Sequence, residues 1–230
     1  MTSLLNSEIF ILTLVIGVYL LSVWLYRKTG LNLLNPLLVS IPVLVAVTHV
    51  LGISYESFQK GSRIISFMLG PTVVVLGYLL YEQVAHLREN AVSIITSVFV
   101  GCVTGILSVI FIARYFGADH ALIVSLEPKS VTTPIAMSIA EKSGGIPSIA
   151  AVVVIVVGIF GGIVGPFVLE KLGIRSKIAR GLALGSAAHG LGTARAMELG
   201  TIEGAISGLA IGVMGIMTAI LVPVIEMILN

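Results

Sequence analysis

Long apolar runs alternate with short polar or basic connections along the whole chain. Ala91 to Ala113 and Ile146 to Leu169 each supply the roughly 20 apolar residues needed to cross a hydrocarbon core. The pattern predicts four ordinary spans first: Glu8 to Tyr26, Pro36 to Ile53, Ile64 to Val84 and Ala91 to Phe116. Pro42 and Gly70-Pro71 are expected to kink or break the second and third. The second half differs, because Asp119 to Glu141 and Lys177 to Gly200 are interrupted midway. The interruptions are Glu127-Pro128-Lys129-Ser130 and Ser186-Ala187-Ala188-His189-Gly190. Each interrupted segment precedes a clean span, Ile146 to Leu169 and Glu203 to Ile228.

The two interrupted blocks look like an internal repeat. Thr133, Ala136 and Met137 match Thr193, Ala196 and Met197 at a spacing of 60. After a three-residue deletion, Ile149, Val156, Gly158, Ile159 and Pro166 match Ile206, Val213, Gly215, Ile216 and Pro223. Cations then orient the repeat. If each interrupted segment is a re-entrant hairpin, with arms of about 12 residues rising roughly 18 Å, the chain crosses six times with both termini outside. Arg27, Lys28, Arg88, Lys171, Arg175, Lys177 and Arg180 then face the cytoplasm, against Lys60, Arg63, Arg114 and Lys142 outside. If both segments cross fully, Lys142 moves inside, the cations from Lys171 to Arg180 move outside, and that bias inverts. The positive-inside rule favours the hairpins. A hairpin plus one span is an odd number of crossings, so the blocks become inverted repeats. The expected fold is therefore an all-α integral membrane protein of about six transmembrane helices plus two re-entrant or broken hairpins. It is read as one polytopic domain over 1–230, with N-terminal helices in 1–117 and repeated units in 118–172 and 177–229.

Composition agrees. Of 230 residues, 57% are hydrophobic and 10% charged, against about 25% charged in a soluble domain, and the mean hydropathy is +1.12. The N-terminus lacks a basic region before its apolar run, and that run ends in Arg27-Lys28, so it reads as a retained helix rather than a signal peptide. Cys102 is the single cysteine, which excludes a disulfide framework or thiolate metal site and leaves a small core or lipid-facing residue. A net charge of +2, spread along the chain, makes no nucleic-acid patch. No cofactor and no metal are expected.

The interruptions carry the chemistry. Glu127, Lys129 and Arg195 lie inside apolar stretches, where ionisable groups mark functional sites by default; the alternative is that Glu127 pairs with Lys129 or Arg195 as a strut. Thr133 is the expected N-cap of a half-helix with Pro134 at its first position, and Thr193 is the expected cap of its counterpart. Half-helix starts present free amide groups that suit an anion, and Arg195 could grip a carboxylate bidentately. Lys129, Ser130, Thr132, Thr133, His189, Gly190, Thr193 and Arg195 are the substrate-binding candidates; Thr132, Thr133 and Thr193 could instead satisfy broken backbone. Glu127 and His189 are the proton-coupling candidates, with a structural hydrogen-bonded histidine as the alternative for His189. His49, His86, His120, Trp24, Tyr26, Tyr78 and Tyr81 read as interfacial. Late glycines, including Gly158-Xaa3-Gly162, Gly161-Xaa3-Gly165 and Gly204-Xaa3-Gly208-Xaa3-Gly212, are expected to let the hairpins pack against the spans that carry them. Ser186 and His189 stand three apart, but there is no Gly-Xaa-Ser-Xaa-Gly elbow, no catalytic aspartate pair and no His-Glu-Xaa2-His motif, so no enzyme is expected.

Three stretches resemble a known family: Gly70-Pro71-Thr72-Val73-Val74-Val75-Leu76 through Tyr81-Glu82-Gln83, Glu127 through Ala136, and Gly185 through Arg195. They resemble the LrgB/CidB (YohK-like) family of antiholin-like membrane proteins, related to the C-terminal half of the plastidic glycolate/glycerate transporter. The plant relatives imply transport of small hydroxy-monocarboxylates, glycolate or glycerate, and some bacterial relatives imply pyruvate; lactate belongs to the same chemical class. The family's traditional description implies instead a holin-like or antiholin-like modulator of murein hydrolase activity and cell lysis, acting with an LrgA/CidA-like membrane protein. The resemblance also implies a bacterial inner (plasma) membrane location. A small organic anion, the lipid bilayer, an LrgA/CidA-like protein and further copies of the chain in a homo-oligomer are the expected partners.

Overall fold

The computed structural model describes residues 5–31, 34–82 and 91–229. Its regular structure is helical, with no strand among the described residues. In order the helices are α1 (Glu8–Thr29), α2 (Pro36–Val50), α3 (Tyr55–Gly61), α4 (Arg63–Glu82), α5 (Ala91–Tyr115), α6 (His120–Leu126), α7 (Thr133–Lys142), α8 (Pro147–Lys171), α9 (Lys177–Leu199) and α10 (Thr201–Leu229). Among the described residues, α1, α5, α8 and α10 are long and apolar enough to cross a bilayer, and α2 is a shorter apolar helix. Gln83, His86 and Arg88, named above in the family motif, among the interfacial residues and among the cytoplasmic cations, lie outside the described residues.

The chain forms two compact units, Met1–Thr72 and Val73–Asn230. In the first, α1 packs on α2 and α3. Gly61 sits against Ile11, where a methyl group would lie 2.5 Å from the isoleucine Cβ. The α5 face made by Ile94, Val98, Cys102, Ile106 and Ile110 is buried in the second unit's core. Leu209, Val213 and Val222 of α10 and Ala136, Ile139 and Ala140 of α7 belong to the same core. Cys102 Sγ meets Thr218 Oγ1 at 3.3 Å, tying α5 to α10.

Both interruptions occur where expected. The first separates α6 from α7 between Glu127 and Thr132. The second is a pair of non-helical residues inside α9, Ala188 (φ −128°, ψ 15°) and His189 (φ 41°, ψ −131°). There the chain doubles back. Residues eight apart in a straight helix are about 12 Å distant, yet the carbonyl oxygen of Leu184 occupies the space where a side chain on Gly192 would begin. At the first interruption, Ile146 N donates to Ser125 Oγ at 2.7 Å, so the chain leaving α7 returns to the end of α6.

Several expectations are corrected. Pro42 and Pro71 lie inside α2 and α4, which run on through them, so of the expected kink or break the break does not occur; neighbouring groups in a membrane helix can absorb the missing amide. The second span shrinks to 15 residues and ends at Val50. The arms flanking Glu127 are 7 and 10 residues long rather than about 12. The cap of α7 is Thr132, not Thr133, because the Thr132 carbonyl already accepts the first helical bond, from Ala136 N at 2.9 Å. Thr193 caps nothing, since the helix resumes immediately after His189.

Candidate functional site

Beside the apolar face of α5 runs a second stripe, Ser93, Ser97, Gly101, Thr104, Gly105 and Ser108, displaced by one residue and hence by about 100°. This stripe lines a cavity of about 760 Å³. Lys129 and Ser130 of the first interruption close one side, and the first arm of α9, with Ser176 and Ser186, closes another. Seven hydroxyl-bearing residues therefore share the lining with one cation, and Lys129 is the only charged residue among the described lining. Its ammonium donates to Ser130 Oγ at 3.2 Å and rests over Gly105, 3.8 Å from where a β-carbon would stand. Among the described residues it forms no salt bridge.

Of the candidates read from sequence, Lys129 and Ser130 meet here and the others do not. Glu127 is buried at 2% exposure and pairs with neither Lys129 nor Arg195, which removes the strut in that form. Two residues apart across a turn, Glu127 and Lys129 face different neighbours: Lys129 the cavity, Glu127 the carboxyl of Glu226 on α10 and, electrostatically, Arg114 of α5. Arg195 is bound by Glu198 one helical turn on. Thr193 Oγ1 meets Ser207 Oγ at 2.7 Å in a buried contact, Thr132 Oγ1 is buried without a hydrogen bond, Thr133 is half-buried, and Gly190 is exposed.

His189 holds the bend rather than lining the cavity. Its Nε2 donates to the carbonyl of Val154 on α8 at 2.8 Å, and its ring fills the space above Gly158, where a methyl would lie 2.6 Å from Nε2. A non-glycine residue at positive φ is held there only when its surroundings over-determine it, and these two contacts do so. The structural reading of His189 fits this geometry.

Sequence reading missed the hydroxyls of α5. A signal was present, since Ser93, Ser97, Gly101, Thr104 and Ser108 recur at helical spacing within an apolar span, but serine and threonine in membrane helices commonly bond their own backbone. Thr96 Oγ1 does so, donating to Val92 O at 2.5 Å, and so does Ser108 Oγ of the cavity stripe, donating to Gly105 O at 2.9 Å. Only the cavity distinguishes the two sets.

The described helices and the polar cavity within them define a multi-pass helical membrane protein. The LrgB-like family matches residues 15–228, and the chain belongs to it. The chain is similar to the uncharacterized protein YxaC of Bacillus subtilis (strain 168), 38% identical over 217 residues and 94% of each chain. It is 33% identical to the holin-like protein CidB of Staphylococcus epidermidis over 219 residues, 95% of this chain and 96% of that one. It is 32% identical to the antiholin-like protein LrgB of Bacillus cereus over 197 residues, 86% of each. No solved structure matches. The chain is a multi-pass bacterial membrane protein. Of the two expected functions, the names of the relatives speak for the holin-like or antiholin-like one, and none of these names describes a transported substrate or an enzyme.

Proposed function

We propose that the chain moves small monocarboxylates, of the size of glycolate, glycerate, lactate or pyruvate, through the hydroxyl-lined cavity, with Lys129 holding the carboxylate and Ser130 and the α5 hydroxyls holding the rest. The observation that carries the reading is a half-buried ammonium at the wall of a hydroxyl-bearing cavity with no carboxylate paired to it among the described residues. A cation in that setting lacks the counter-charge it needs in an apolar surrounding, and an anionic substrate supplies it. Val154, Ser207 and Glu198 engage His189, Thr193 and Arg195, and we give those three positioning roles.

A second reading has the relatives' names behind it: a holin-like or antiholin-like modulator of murein hydrolase activity, acting with an LrgA/CidA-like membrane protein. One experiment separates the two. Uptake of labelled monocarboxylate and the rate of lysis are measured in cells with and without this chain, alone and with an LrgA-like partner. Uptake that depends on the chain supports transport; changed lysis without uptake supports the modulator.

We further infer that the interrupted segments are re-entrant hairpins of an inverted repeat. Supporting it are the return of the chain at Leu184 and Gly192, its return at Ser125 and Ile146, and the matched positions of the two blocks. Single cysteines at Lys142 and Lys177 should then label from opposite sides of the membrane with an impermeant maleimide. The native Cys102 is buried and does not compete. Labelling of both from one side would remove the inverted repeat.

A further inference from the structure

A second cluster of ionisable side chains lies apart from the cavity lining and is unused by the function proposed above. His120 Nε2, at the start of α6, stands 3.1 Å from Glu226 Oε2, near the end of α10. Glu226 in turn lies against Glu127. Both carboxyl oxygens of Glu127 are sealed from solvent and, among the described residues, receive no hydrogen bond from an amide, hydroxyl or cationic donor. Exposure falls stepwise along the three: 57% for the imidazole side chain and 11% for Glu226, then 2% for Glu127. Glu127 stands two residues before Lys129, the cation of the cavity. Among the described residues the charged groups facing this pair are His120 from α6 and Arg114 from α5.

Two carboxyls in contact cannot both be ionised in a surrounding of low dielectric, and a proton held between them is also the donor that the Glu127 oxygens otherwise lack. The exposed imidazole of His120 meets bulk water on one side and Glu226 on the other, and its two ring nitrogens let it relay a proton. We propose that His120, Glu226 and Glu127 form a proton path from the protein surface to the first chain interruption, so that an anion held by Lys129 travels with a proton held by Glu127. When water reaches the interruption, Glu127 gives up the shared proton to it; the imidazolium then gives its Nε2 proton to Glu226, which shares it with Glu127 in place of the one lost, and the imidazole takes another from bulk water. One proton moves and no electrons do.

The path rests on the transport reading, so its test has a readout independent of transport. The purified chain in lipid bilayers is titrated by infrared difference spectroscopy, and the same preparation is assayed for labelled lactate uptake with and without an inward proton gradient. The parent protein should show the carbonyl band of a protonated carboxyl at neutral pH, lost in Glu127→Gln and shifted in Glu226→Gln. The ratio of uptake with the gradient to uptake without it should fall to one in Glu226→Gln, and His120→Ala should slow gradient-driven uptake. No such band, or a band that neither glutamine variant alters, overturns the path whether or not the chain transports. A parent-like gradient ratio in Glu226→Gln overturns the path and leaves transport standing. An intact band with no uptake by the parent removes the transport reading and the path with it.

Discussion

Lys129→Gln should raise the half-saturation for a labelled monocarboxylate by about 10- to 100-fold, the equivalent of the 1.5–3 kcal/mol that a hydrogen bond to a charged group contributes. The substitution removes the only charged side chain of the described cavity lining. It should leave insertion and abundance intact, because among the described residues no carboxylate is paired with Lys129 and none is stranded when it goes. Lys129→Arg keeps the charge and should retain measurable uptake. The measurement is a saturation curve in vesicles, normalised to monodisperse protein recovered in detergent. Unchanged half-saturation in Lys129→Gln would remove the lysine from the site and leave the hydroxyls alone to account for any selectivity. Arg195→Lys is the comparison: its guanidinium is engaged by Glu198, so the parent's half-saturation is the expected result there.

Gly185→Leu should cost about 3 kcal/mol or more, since a side chain there meets backbone rather than a flexible side-chain end. The Ser207 carbonyl oxygen of α10 occupies the position of its β-carbon, with Ser207 Oγ at 2.8 Å and Ala210 Cβ at 2.9 Å. The contact joins α9 to α10, the pair of described helices with the most extensive mutual packing, and those residues also carry the Thr193–Ser207 bond. The expected outcome is loss of the monodisperse folded species on size exclusion and a lowered thermal midpoint in detergent. Gly208→Ala is the control. Nothing lies within 4 Å of a β-carbon at Gly208, so replacing a mid-helix glycine with alanine should be neutral or stabilise by up to about 1 kcal/mol. Equal behaviour of the two variants would mean that close approach at Gly185 is not what holds α9 on α10.

The glycine patterns illustrate how far spacing reads. Gly158, Gly161 and Gly165 of α8 do receive α9, at His189, Ala188 and Leu184, so the second hairpin packs against the glycines of the span that precedes it. In the Gly204-Xaa3-Gly208-Xaa3-Gly212 run, Gly204 meets Met197 while Gly208 faces open space. The closer approach to α10 comes from Gly181 and Gly185, whose equal spacing lies inside a segment read for its interruption. A small-residue spacing marks a surface that can be approached; which of several such surfaces is used depends on the partner helix.

Sequence by itself determined the class of the protein, the positions of the long spans and the places where helices stop. Each of these follows from local physics: apolar length against bilayer thickness, and the polar backbone of the two interruptions, which an apolar span does not continue through, whereas Pro42 and Pro71 by themselves stopped no helix. It also singled out Lys129 and Ser130, because a cation inside an apolar run is costly wherever the run is placed. Only the tertiary structure decided what each polar residue meets. Glu127 and Lys129, adjacent on paper as a salt bridge, face α10 and the cavity respectively. Arg195 turned to Glu198, and the α5 hydroxyls became the cavity wall because the neighbouring stripe of isoleucines was buried against α10 and α7. Charged and hydroxyl groups reach only a few ångströms, so their partners are chosen by which helices lie side by side, and that choice is made by packing across sequence separations of up to more than a hundred residues, as between Cys102 and Thr218.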